Sequence, residues 1–127
     1  MDSYLSKNQK TYIHIAQNFL MQLRGQFPIT QATQIIKLRK ASDFADILNI
    51  HVNHLNRAIK LYTGKTTTQN INECFIKESK GLLKSTDWPI TAIAMVFGFR
   101  EANHFSAFFK KHGGYTPTNY RTLKIKK

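Results

Sequence analysis

Two groups of polar side chains, fifty residues apart, have the types and spacing to hydrogen-bond a flat polar edge and to hold phosphate. The first is Asn53, Asn56, Arg57 and Lys60; the second is Arg100, Asn103, Ser106 and Lys110. An asparagine amide offers a donor and an acceptor side by side, matching adenine. The arginine fork matches guanine, and serine can serve either role. Lysine meets phosphate as a point charge. Other chemistries find less support. The seven carboxylates are scattered, and there is no glycine-rich phosphate loop and no defensible Ser-His-Asp set, so no catalysis is expected. His51 and His54 are three apart, but the nearby carboxylates are only Asp43 and Asp46 and no cysteine is close. No metal and no other cofactor are expected.

The bulk composition points the same way. The chain has 127 residues, with 19 Lys and Arg against 7 Asp and Glu, a formal net charge of +12. That excess favours a polyanion: DNA, RNA or an anionic membrane surface. No apolar run approaches the ~20 residues needed to span a bilayer, so a membrane partner is not expected. Hydrophobic residues make up 42%, enough for a packed core. Cys74 is the single cysteine, which excludes an internal disulfide. Met1-Asp2-Ser3-Tyr4 has no basic-then-apolar signal pattern. Both features fit a cytoplasmic protein.

The elements that must carry these side chains read as helices throughout. Ile13, Ala16, Phe19, Leu20 and Leu23 predict one helix over 4–24, ended by Gly25 and Pro28. Residues 25–41 read as an irregular connection anchored by Ile35, Ile36 and Leu38. Ser42 is the expected cap of a short helix with Phe44, Ile47 and Leu48 as its apolar face. Asn49-Ile50 breaks it. A second helix over 53–62 turns Leu55, Ile59 and Tyr62 inward and ends at Thr63-Gly64. A longer helix covers 67–85, with Lys77, Lys80 and Lys84 along one side. Then come a short helix over 91–97, a helix over 101–112 burying Phe105, Phe108 and Phe109, and a last short one capped by Thr116-Pro117. His104 is expected to be semi-buried, and Cys74 likewise. No two-residue alternation suggests a sheet, so the fold class is all-α.

A degenerate repeat of about 50 residues organises the chain. Phe44-Ala45 matches Ile93-Ala94, Ile47-Leu48 matches Val96-Phe97, and Ile50 matches Phe99. Leu55, Ile59 and Lys60 match Phe105, Phe109 and Lys110, and Gly64 and Thr66 match Gly114 and Thr116. Each copy is a short helix, a tight break and a second helix, the sequence shape of a helix-turn-helix, with the 67–85 helix as a linker. Two such units suit successive major grooves about one helical turn apart, ~10 base pairs.

The run Ile93-Ala94-Met95-Val96-Phe97-Gly98-Phe99, then His104-Phe105 through Lys110-Lys111, then Gly114-Tyr115-Thr116-Pro117 through Tyr120-Arg121, resembles the DNA-binding domain of AraC/XylS-type transcription regulators. Phe44-Ala45-Asp46, His54-Leu55-Asn56-Arg57, Lys60 and Thr63-Gly64-Lys65 extend the resemblance to residues 42–123. It implies about seven helices and two helix-turn-helix units. It also implies double-stranded DNA as partner, RNA polymerase as a second one, and a separate N-terminal sensor or dimerisation domain outside this chain. Residues 1–41 then form the N-terminal helix and interdomain linker, 42–123 the DNA-binding domain, and 124–127 a basic tail. The competing readings are a basic helical nucleic-acid binder and a targeting module of a DNA-processing protein. The sequence departs from the family pattern at Phe75, where a basic residue is usual, and at Ala102 and Ala107, which stand at frequent contact positions. A small side chain cannot form a paired hydrogen bond with a base, so the second unit is expected to contribute more phosphate contact, with thymine methyls left to Ala102 or Ala107.

Overall fold

The computed structural model describes residues 7–124, and among them every regular element is a helix. In chain order they are α1 (Lys7–Arg24), α2 (Ala41–Ile47), α3 (Val52–Thr63), α4 (Thr67–Ser85), α5 (Ile90–Val96), α6 (Ala102–Gly113) and α7 (Pro117–Thr122). They sort into two compact units. One comprises residues up to 26 and 38–71; the other comprises 27–37 and 72 onward.

The first unit is α1, α2, α3 and the first turn of α4. Ala16, Phe19 and Leu23 are buried on one face of α1, with Phe44 and Ala45 from α2 and Leu55, Ala58 and Ile59 from α3. The Phe19 and Phe44 rings meet edge to face at 4.9 Å, the favoured geometry for aromatic pairs. Asp43 starts α2, its carboxylate accepting from the Arg39 and Lys40 amides at 3.0 and 3.1 Å. Ser42 is therefore not the cap: Lys40 holds that position, the helix begins at Ala41, and Asp43 at the third helical position reaches back to the cap amide. Asn70 fixes the end of α3, donating to the Thr63 hydroxyl and the Thr66 carbonyl, both at 2.9 Å. Gln26 and Leu38 close the base of the intervening loop through two reciprocal hydrogen bonds of 2.8 Å.

The second unit is the remainder of α4 with α5, α6 and α7. Its core contains Phe75, Leu83, Ile93, Val96, Phe97, Phe105 and Phe109. The 27–37 segment is irregular, as its composition predicts, and joins this core through Phe27, stacked on Phe97 at 6.1 Å, and through the Ile36 amide on the Val96 carbonyl at 2.9 Å. Phe75 is 5% exposed and packs on Phe97 at 5.4 Å, so the departure at this position is filled by hydrophobic packing. Arg121 braces α7: Nε donates to the Leu83 carbonyl at 3.0 Å and Nη1 to that of Trp88 at 2.7 Å.

Four apolar expectations fail, because these side chains are covered only in part or not at all. Ile35, Ile47 and Tyr62 are 53%, 54% and 45% exposed. Tyr62 lines an open cleft of about 330 Å³ with Gln9, Tyr12, Ile13 and Leu61 instead of filling a core. Phe108 is half-buried, tilted against Phe99 and His112, whereas Phe105 and Phe109 are fully enclosed.

Two glycines give opposite expectations. Gly114 sits at φ +86° with open space around a would-be Cβ, so alanine there meets only backbone strain, about 1–2 kcal/mol. Gly81 lies inside α4, also with open space, and alanine should stabilise by about 0.5–1 kcal/mol. Urea denaturation should move the two variants to opposite sides of the parent.

Candidate nucleic-acid interface

The two breaks between short and longer helices are built alike. Asn49 and Gly98 both take a left-handed conformation, at φ 56° and 87°. The amides that follow close the same bonds, Ile50 to the Ala45 carbonyl and Phe99 to the Ala94 carbonyl, each 3.0 Å. α3 and α6 are both 12 residues long and end on left-handed glycines, Gly64 and Gly114, whose amides bond to the carbonyls of Lys60 and Lys110. A repeat visible as matched apolar residues is thus a repeat of turn geometry. In each unit it fixes the angle at which the second helix leaves the first.

On α3, Leu55, Ala58 and Ile59 face the core, and Asn53, Asn56, Arg57 and Lys60 are all exposed on the other side. At 100° per residue these four lie within about one third of the helix circumference. The helix contains no acidic residue, so its outer face is cationic and has no internal counter-ion. Its cap is His51, whose Nδ1 accepts from the Asn53 amide at 3.1 Å. That use makes His51 part of the helix end. Lys60 donates to the Gly64 carbonyl at 3.0 Å.

On α6 the equivalent positions are Asn103, Ser106, Ala107 and Lys110. Asn103, Ala107 and Lys110 are exposed, and Ser106 is half-buried beside the core residue Phe105. Arg100 is exposed in the turn before the helix. α6 is also free of acidic residues and carries Lys110, Lys111 and His112 in its last turn. The eight candidate residues therefore form two local groups, one in each unit. Where α3 has Arg57, α6 has Ala107.

His104 is 73% exposed and faces Glu101 at 3.6 Å, contrary to the expected packed position. It falls on the outer side of α6, one full helical step away from Phe105. The lysines along α4 also differ in role. Lys80 and Lys84 sit over the Tyr120 ring at 5.2 and 5.0 Å, and Lys84 donates to the carbonyls of Arg121 and Leu123. Both are engaged with α7, whereas Lys77 is exposed. Lys110→Ala should reduce the salt dependence of nucleic-acid affinity by about one phosphate contact, whereas Lys84→Ala should leave that slope unchanged and lower thermal stability. Titration of both variants over a range of salt concentrations checks this.

A family model described as a helix-turn-helix domain matches residues 44–122, from the middle of α2 to the end of α7. The chain belongs to the AraC-type helix-turn-helix family. This AraC-type domain is 32% identical over 77 residues to the HTH-type transcriptional activator RhaS of Enterobacter sp. (strain 638), covering 61% of the chain and 28% of that protein. The chain thus spans little more than a quarter of the curated relatives it matches. It also resembles the C-terminal domain of AraT, a response regulator from Geobacillus stearothermophilus, with 25% identity and a TM-score of 0.63, covering 98% of this chain and 92% of that one. The DNA-binding domain of the global transcriptional factor AdpA, solved with a target DNA, shares the fold at TM-score 0.60 and 16% identity, with 91% of each chain covered. Both structural likenesses cover enough of the chain to take in the two helix-turn-helix units and to reach beyond the family match into α1.

Tyr12 is the neighbour that residue patterns did not reveal. It lies on α1, outside the repeat, yet its ring stands 5.8 Å from the Arg57 guanidinium carbon. Among the described residues no group of three or more His, Cys, Asp and Glu could hold a metal ion, and no helix is long and apolar enough to cross a membrane.

Proposed function

We propose that this chain is the DNA-binding part of a transcription regulator, inserting α3 and α6 into successive major grooves of double-stranded DNA. The observation that carries this reading is the pair of acid-free helices, each presenting exposed polar and basic side chains from behind the same left-handed turn. In the first unit Asn53, Asn56 and Arg57 read base edges, and Lys60 holds phosphate. In the second, Asn103 is the principal base reader, Ser106 assists it, and Arg100 and Lys110 hold the backbone. Ala107 shortens the reach of α6, so base discrimination is concentrated on α3.

The protein works in the cytoplasm and performs no catalysis of its own. Residues 42–123 make the DNA contacts, residues 1–41 lead from a sensor or dimerisation domain, and 124–127 are a basic tail. RNA polymerase is the second partner. The 28% coverage of the RhaS relative supports a longer parent protein, and that relative's role as an activator supports the polymerase contact. The test is anisotropy titration of one sequence as duplex DNA, duplex RNA and single-stranded DNA. A clear preference for duplex DNA is expected, since the deep, narrow major groove of A-form RNA does not admit side chains. Equal affinity for all three would leave a basic protein that merely holds phosphate.

A further inference from the structure

We infer that Tyr12 positions Arg57 for base contact, making α1 part of the reading apparatus. The inference rests on the DNA-binding reading above and concerns the first unit alone. Arg57 is exposed on the outer face of α3 and makes no ion pair or hydrogen bond among the described residues; it stands against the Tyr12 ring, 5.8 Å from the guanidinium carbon to the ring centre. The ring is itself located from a second side: His54, three residues before Arg57 and one turn away on α3, meets it nearly perpendicular at 5.7 Å and 83°. Tyr12 is half-buried on a helix whose neighbouring turns carry the buried Ala16 and Phe19. The ring is therefore a placed object and the guanidinium leans on it.

The chemistry of that contact matters for reading. A carboxylate partner would consume the in-plane N–H donors that a base or phosphate needs. An aromatic face attracts the cation through its ring quadrupole and leaves those five donors free. The long, flexible arginine is thereby held near its working position before DNA arrives, so less rotamer freedom is lost on binding. Tyr12 acts through Arg57, as a positioning residue.

The test uses the whole chain and the duplex that the parent protein selects from a random library. Tyr12→Leu keeps apolar bulk and removes the π face; Tyr12→Phe keeps the face and removes the hydroxyl. Tyr12→Leu should weaken binding about two- to fivefold, the range of an exposed cation–π contact, and Tyr12→Phe should bind like the parent. In an Arg57→Ala background, Tyr12→Leu should have no further effect on affinity, with circular dichroism and thermal melting confirming folded protein throughout. An equal loss from Tyr12→Leu with and without Arg57 would overturn the inference, as would parent-like binding by Tyr12→Leu or a loss in Tyr12→Phe. If the parent selects no duplex sequence at all, the DNA-reading proposal fails first and this one falls with it; a selective parent with indifferent Tyr12 variants sinks this one alone.

Discussion

Replacing Phe105 with alanine should cost about 3–5 kcal/mol, more than any other single change considered for this chain. Phe105 is fully buried, and its ring has neighbours in Phe97 at 6.3 Å, Phe99 at 5.6 Å and Phe109 at 5.9 Å. Truncation therefore removes the transfer free energy of the ring and leaves a cavity that three aromatic rings cannot collapse to fill. The total stability of a domain is only about 5–15 kcal/mol, so the loss is a large fraction of it. For a unit of 60–100 residues, each 1 kcal/mol moves the melting midpoint by about 4–8 °C, which puts the expected drop above about 12 °C. Phe108→Ala, at a half-buried position, should cost distinctly less. Calorimetry of the two variants measures both. Similar midpoints for parent and Phe105→Ala would mean that the aromatic cluster is not the core of the second unit.

Arg57→Ala should do the reverse, sparing stability and damaging recognition. The side chain is exposed, and alanine's preference for the helix offsets part of the lost Tyr12 contact, so the folded state should change by no more than about 1 kcal/mol. A paired hydrogen bond to guanine is worth about 1–3 kcal/mol of discrimination, and its loss should flatten the preference at one base pair of the selected duplex. Lysine should not restore that preference, because a point charge cannot reproduce the planar fork. Competition among duplexes that differ at single positions reads this directly. A uniform loss across all sequences would reassign Arg57 to phosphate.

Much of the architecture was legible because it rests on local chemistry. Gly64 and Gly114 end helices where only a residue tolerant of positive φ fits, and Thr116-Pro117 pairs a capping oxygen with a residue whose missing amide costs nothing at a helix start. The bounds of α4 follow from its apolar stripe, of which Ile71, Phe75, Ile76, Leu82 and Leu83 are all buried. The candidate side chains on α3 and α6 were legible for the same reason: core residues at three-to-four spacing leave one outward face. What escaped depends on contacts between distant positions. Periodicity puts Lys80 and Lys84 on one side of α4 without revealing that Tyr120 and the end of α7, some 36 to 40 residues away, hold them. Periodicity marks Ile47 and Tyr62 as apolar without saying whether anything covers them. Tyr12 carries no pattern at all, since its importance comes from the packing of α1 on α3.

The two helix-turn-helix units should read duplex DNA together. Selection from a random duplex library, followed by titration of the winning sequence against salt, tests it most directly. Two short boxes about one helical turn apart, ~10 base pairs, should be enriched, and Arg57→Ala should abolish a base preference in one of them. Binding without sequence preference that collapses steeply as salt rises would contradict it, leaving the +12 charge as the whole of the interaction.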